Sequence, residues 1–151
     1  MPSPPAESGA GGCAFCAILA GTLPASLVHE DDRVIAFMDL RQAVPGHVLV
    51  VPRRHVETVF DLDEDTAAHL MRIAVRVARA AEAVFAPDGL NLWQSNREAG
   101  GQEVLHVQPR RTGDGLLRIY PDAVPPPTSA DALDHMAVAL RASLAPSQSK
   151  P

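Results

Sequence analysis

Residues 96–115, NREAGGQEVLHVQPRRTGDG, constrain the fold most, because two glycine turns must bracket one short extended run. The first turn is Ala99-Gly100-Gly101. The run is Glu103 to Val107, and the chain leaves it through Pro109-Arg110-Arg111 to a second turn, Gly113-Asp114-Gly115. Glycines directly before a strand leave backbone N–H groups open to an anion, since no side chain blocks the approach. Alternate residues of a strand share a face, so an anion held by the turn would lie within reach of His106. Two readings follow from these residues: an anion-binding turn with a working histidine, or a hairpin strand with one half-buried histidine.

The rest of the chain supplies a frame for that strand. Residues 1–12 are rich in Pro, Ser, Gly and Ala and read as a tail with little to bury. Cys13-Ala-Phe-Cys16 opens a short helical turn, Cys16 to Ala20, stopped by Gly21. Leu27 to Glu30 and Arg33 to Asp39 are extended runs joined at Asp31-Asp32, a hairpin pattern. Val34, Ala36 and Met38 share one side and Ile35 and Phe37 the other, so that strand is expected inside a sheet covered on both faces. A third strand, His47 to Val51, follows the Pro45-Gly46 turn. Leu62 to Phe85 is the main helix, capped by Asp63, with an apolar face of Leu70, Ile73, Val77, Ala81 and Val84. Its His69 reads as a surface residue. Pro87-Asp88-Gly89 returns the chain to a strand, Leu90 to Ser95. Leu116 to Tyr120 is expected as a short extended tail to the core. Residues 122–128 form a proline-rich linker, and 129–144 a last helix with an apolar stripe of Leu133, Met136, Ala137, Leu140 and Leu144. Residues 145–151 form a second tail. Hairpins and the lack of a repeating βαβ pattern predict an α+β fold, a mostly antiparallel sheet with one long helix and a C-terminal helix.

Composition excludes some functions. The formal net charge is −5 and the basic residues are scattered apart from pairs such as Arg53-Arg54 and Arg110-Arg111. No basic face for nucleic acid is expected. No apolar run reaches the length of a membrane span, and the amino terminus lacks the features of a signal peptide. A cytoplasmic protein is the expectation, with its two cysteines as thiols or metal ligands. C-x-x-C presents two thiolates to one point, half of a tetrahedral zinc site; two reduced cysteines on a packed turn is the other reading.

Two stretches carry a resemblance. Gly101-Gln102-Glu103-Val104 followed by the histidine strand and P-R-x-x-G-D-G, and upstream FMDLRQAVPGHVLVVPRRH, resemble the histidine triad (HIT) family of nucleotide-binding hydrolases and transferases. The likeness runs from about Cys13 to Gly115, so residues 13–121 are read as a HIT-like domain. It implies a homodimer that binds a purine nucleotide. Asp39 would accept hydrogen bonds from the ribose hydroxyls, with Leu40 beside the base. His47, Asn96 and the turn Gly101, Gln102, Glu103 and Val104 would complete the nucleotide site. In members with an amino-terminal C-x-x-C it also implies a structural zinc, here on Cys13, Cys16, His55 and His106.

The family's motif is three alternate histidines, the central one the nucleophile; this strand has one. Matched through Gly101 to Val104, His106 is the first of the three; matched through Val107 to Arg110, it is the third. Either way four residues are missing. Their loss preserves the in-and-out alternation but shortens the strand by about 13 Å. The glycine loop or Thr112-Gly113 would have to be drawn into the sheet, with a strained or rearranged core. The function expected is nucleotide binding with catalysis lost or crippled. An active phosphohydrolase or phosphoramidase using His106, and a zinc-stabilised dimeric structural protein that binds no nucleotide, are the alternatives.

Overall fold

The structure, a computed structural model, describes residues 13–97, 104–117, 119–120 and 122–144. Gly101, Gln102 and Glu103, expected in the nucleotide site, lie outside the described residues, as do both tails. Contacts divide the chain into two compact units, Met1–Asp114 and Gly115–Pro151, a boundary ahead of the expected one after Pro121.

The first unit is built on a sheet of five strands among the described residues: β1 Leu27–Glu30, β2 Val34–Met38, β3 Val48–Pro52, β4 Gly89–Trp93 and β5 Leu105–Arg110. Their spatial order is β1-β2-β3-β5-β4, and every neighbouring pair is antiparallel. This is the expected α+β arrangement.

The two-sided apolar pattern of β2 is realised. On one face Val34, Ala36, Val48, Val50 and Val107 pack against Leu70, Ile73, Ala74 and Val77 of α2, Glu64–Phe85. On the other, Ile35, Phe37, Leu49, Val51 and Val104 meet Phe15, Ile18 and Leu19 of the short amino-terminal helix and Ala25 beyond it. That short helix, α1 Ala14–Leu19, begins two residues earlier than expected because the Cys13 side chain caps it. Each fully buried aliphatic side chain contributes about 1.5–3 kcal/mol. The sheet therefore needs both covers.

The long helix starts as its sequence dictates. Asp63 caps it, accepting from the Thr66 N–H at 2.8 Å, and Glu64 and Asp65 place negative charge in the first turn. Its other end departs from expectation in two ways. Ala86, ahead of the Pro87-Asp88-Gly89 turn expected to end the helix, takes the left-handed conformation, at φ 43°. Val84 is 71% exposed, while the neighbouring Phe85 ring lies against Gly46. Arg111 donates to the carbonyls of Phe85 and Ala86 at 2.8 and 2.7 Å, so a cation holds the negative end of the helix dipole.

β5 pairs as far as Arg110, so Gln108, Pro109 and Arg110 lie within the sheet, beyond the expected end of the strand at Val107. Thr112 and Gly113, expected as one segment to be drawn into the sheet, stay in the turn after it; the glycine loop, the other, lies outside the described residues. Arg110 then binds the Asp114 carboxylate and Asn91, fastening the exit turn to β4.

In the second unit, α3 spans Ala130–Leu144, and Ser129 caps it, Oγ accepting from the Ala132 N–H at 3.4 Å. Its Leu133, Met136, Leu140 and Leu144 are exposed. Among the described residues of the expected extended tail at 116–120 there is no strand: Leu117 has a left-handed φ of 50°, and Ile119 and Tyr120 are exposed.

Candidate functional site

Asp39 follows β2 and His47 precedes β3, so the connection between two central strands brings them together. The Asp39 N–H donates to the His47 carbonyl at 3.0 Å. Gln42 locks the loop from within. Its Nε2 donates to the carbonyls of Asp39 and His47 at 2.7 and 2.8 Å, and its Oε1 accepts from the N–H groups of Gly46 and His47 at 2.9 and 3.0 Å. Gly46 is obligatory there. Its φ is +101°, and a Cβ would come within 2.7 and 2.9 Å of the Phe85 ring.

His106 faces this loop from β5, opposite Leu49 of β3 and Trp93 of β4. It is 1% exposed. Its ring stacks on Trp93 with centroids 3.5 Å apart and an interplanar angle of 5°. Its Nδ1 lies 2.8 Å from His47 Nε2, while His47 Nδ1 lies 4.0 Å from Asp39 Oδ2. The result is a line of three titratable groups, Asp39, His47 and His106. One proton fits between the two imidazoles, and burial with the adjacent His47 charge pushes the pKa of His106 down to about 4, against a smaller opposing pull from Asp39. His106 is therefore neutral at physiological pH. Its Nε2 and the indole Nε1 of Trp93 are buried without a hydrogen-bond partner among the described residues.

Asn96 is engaged elsewhere: its Oδ1 accepts from the Val59 N–H at 2.7 Å and from Gln94 Nε2 at 3.2 Å. It holds the end of β4 to the 3-10 turn Val59–Asp61. Leu40 is 97% exposed beside Asp39, and Val104 is buried in the core.

Cys13, Cys16 and His55 form a second cluster, their ligand atoms within 4.8 Å of one another. Cys16 Sγ lies 3.2 Å from His55 Nδ1, and Cys13 Sγ accepts the Cys16 N–H at 3.4 Å. The hydrogen bond from Cys13, then burial and the Cys13 charge, raise the Cys16 thiol above its usual range. A bound cation would reverse that balance by favouring thiolate. Two sulfurs and an imidazole suit zinc, so these residues fit three of its ligands. His106, the fourth in the expected set, is placed with Asp39 and His47 instead. The hollow beside the thiols is lined by Val104, just before β5 and one side-chain repeat ahead of His106.

A third cluster was not expected. Asp31 Oδ2 is 2.9 Å from His29 Nε2 and 2.8 Å from His69 Nε2, and its Oδ1 accepts the N–H groups of Arg33 and Val34. The carboxyl is held well below its usual range, His29 contributing most. His69, read as a surface side chain, thus ties α2 to the β1–β2 hairpin. The alternation of His29 and Asp31 at a strand end was the visible signal; the partner 38 residues on was not. Gln42 and Trp93 were likewise missed.

A family model, HIT domain, matches residues 20–108. The protein hit of Bacillus subtilis (strain 168) is 40% identical over 113 residues, covering 72% of this chain and 78% of its own. The purine nucleoside phosphoramidase of Escherichia coli (strain K12) is 34% identical over 94 residues, 62% of this chain and 79% of the relative. A solved structure, the zinc-bound histidine triad family protein of Mycobacterium smegmatis, superposes with a TM-score of 0.65 at 37% identity, covering 76% of this chain and 86% of that one. A match across the sheet, the long helix and the histidine strand, with these identities, makes the chain a member of the HIT family.

Proposed function

We propose that this protein binds a purine nucleotide at Asp39, Leu40, His47 and Asn96 and at the turn Gly101, Gln102, Glu103 and Val104, with covalent nucleotidyl transfer lost or crippled. The observation that carries the reading is the environment of His106. It is the only histidine on β5, its same-face neighbours Val104 and Gln108 are buried, and its Nε2 is closed off from solvent. A nucleophile must reach phosphorus, and a missing or misplaced one costs several orders of magnitude in rate. Binding makes a smaller demand. Asp39 Oδ1 accepts from the Arg41 N–H at 2.6 Å while Oδ2 lies 4.0 Å from His47 Nδ1, and a carboxylate can receive two vicinal hydroxyls. The phosphoramidase relative supports the ligand class. We further place zinc on Cys13, Cys16 and His55, and take the protein as a cytoplasmic homodimer in which both thiols stay reduced.

Calorimetry with a purine mononucleotide tests the site. Asp39→Ala is expected to weaken binding by about 1.5–3 kcal/mol through loss of a charge-assisted acceptor, and turnover of a nucleoside phosphoramidate to be very slow or undetectable. An unchanged affinity in the variant sinks the site assignment. Efficient turnover abolished by His106→Ala selects the active-enzyme reading instead, and zinc-dependent folding without nucleotide binding selects the structural one.

A further inference from the structure

The cluster around His106 has the composition of a metal site as well as of a nucleotide site. Asp39, His47 and His106 each offer a ligand atom, and those atoms lie within 4.8 Å of one another. The two facing imidazole nitrogens, His47 Nε2 and His106 Nδ1, are 2.8 Å apart. Two nitrogens bound tetrahedrally at 2.0–2.1 Å stand about 3.3 Å apart, so the pair needs to open by only about half an ångström. We propose that Asp39, His47 and His106 bind a divalent transition-metal ion of the zinc class through two imidazoles and one carboxylate, separately from the cysteine cluster.

Three features support this. The ligands are held by their surroundings: Trp93 stacks on the His106 ring, and the Gln42 amide fixes the backbone of Asp39 and His47. Such support around the ligands governs metal affinity. Next, two imidazoles and a carboxylate are donors for zinc, cobalt, nickel or copper, whereas the other cluster offers sulfur. Finally, the protons balance without a co-reactant. The ion takes the lone pairs of the two facing nitrogens, and the proton between them passes to the outward nitrogen of the same ring. For His106 that nitrogen is Nε2, buried with no hydrogen-bond partner among the described residues; for His47 it is Nδ1, 4.0 Å from Asp39 Oδ2, where the proton meets a carboxylate. The carboxylate of Asp39 offsets one of the two positive charges.

The two clusters separate by spectroscopy. Full-length protein freed of metal is titrated with cobalt(II), without nucleotide, so that the result does not depend on the nucleotide reading. Cobalt bound by Cys13 and Cys16 carries a thiolate charge-transfer band in the near ultraviolet; cobalt bound by Asp39, His47 and His106 shows visible ligand-field bands without it. The expected result is an equivalent of cobalt lacking the thiolate band. It should be lost in His106→Ala and weakened roughly tenfold to a hundredfold in Asp39→Asn, with the thiolate band unchanged in both. Asp39 is partly exposed at the loop, so the asparagine variant decides the matter even where His106→Ala fails to fold. The proposal is overturned if every bound cobalt carries the thiolate band, if none binds, or if the band-free equivalent is indifferent to Asp39→Asn.

Discussion

Two buried or half-buried groups set how single residues respond to pH, and they act in different windows. His106 has a folded-state pKa of about 4, against about 6.5 for an unfolded histidine. The folded protein binds fewer protons there, so its contribution to stability is complete above about pH 6.5 and is lost as pH falls towards 4. Carbon-13 NMR of the histidine rings should show one imidazole titrating near pH 4, and His106→Gln should flatten the stability curve between pH 4 and 6.5. Asp31 acts lower. Its carboxyl is held below the usual range, chiefly by His29, so its stabilisation is present above about pH 4 and is lost as pH falls below it. Asp31→Asn should lower stability at neutral pH by about 1.5–3 kcal/mol, the worth of hydrogen bonds to a charged group. Chemical denaturation at a series of pH values checks both, the asparagine variant showing a shallower fall below pH 4.

At the scale of elements, the joint between β3, β5 and α2 is the sensitive one, because Gly46 is wedged against Phe85 and Pro109. Gly46→Ala combines a left-handed φ with a collision. It should cost at least the 1–3 kcal/mol of backbone strain and disturb the His47–His106 contact, which a denaturation midpoint and the histidine NMR shifts would report. The elements themselves were largely legible. The β1–β2 hairpin, the two-faced β2, the Asp63 cap and the span of α3 all follow from neighbours within a few residues. What escaped is non-local. Which residue in and just before β5 faces the thiols and which faces His47 depends on the strand's register against β3 and β4, and alternation alone leaves Val104 and His106 equivalent. The same holds for Asn96, whose carbonyl meets a backbone N–H 37 residues away. Ala86 in a left-handed cap escaped for another reason: the Pro87-Asp88-Gly89 turn after it carried the stronger local signal.

For the whole molecule, the thiol cluster joins the amino-terminal helix to the chain beyond β3, since Cys16 meets His55 across 39 residues. Zinc held there would cross-link the two, and metal binding of this kind adds directly to folding free energy. Protein purified without added zinc should therefore carry metal, and Cys16→Ser or a strong chelator should lower its melting temperature; bound metal absent, with melting indifferent to chelator, would leave the cysteines as ordinary thiols. The stack of Trp93 on His106 has a consequence on the same scale. Trp93 is the sole tryptophan of the chain, so the tryptophan fluorescence of the entire protein comes from one indole lying 3.5 Å over one imidazole. Protonation of that imidazole, or a ligand bound at it, should therefore change the tryptophan emission, and the molecule carries its own unlabelled reporter for the state of His106.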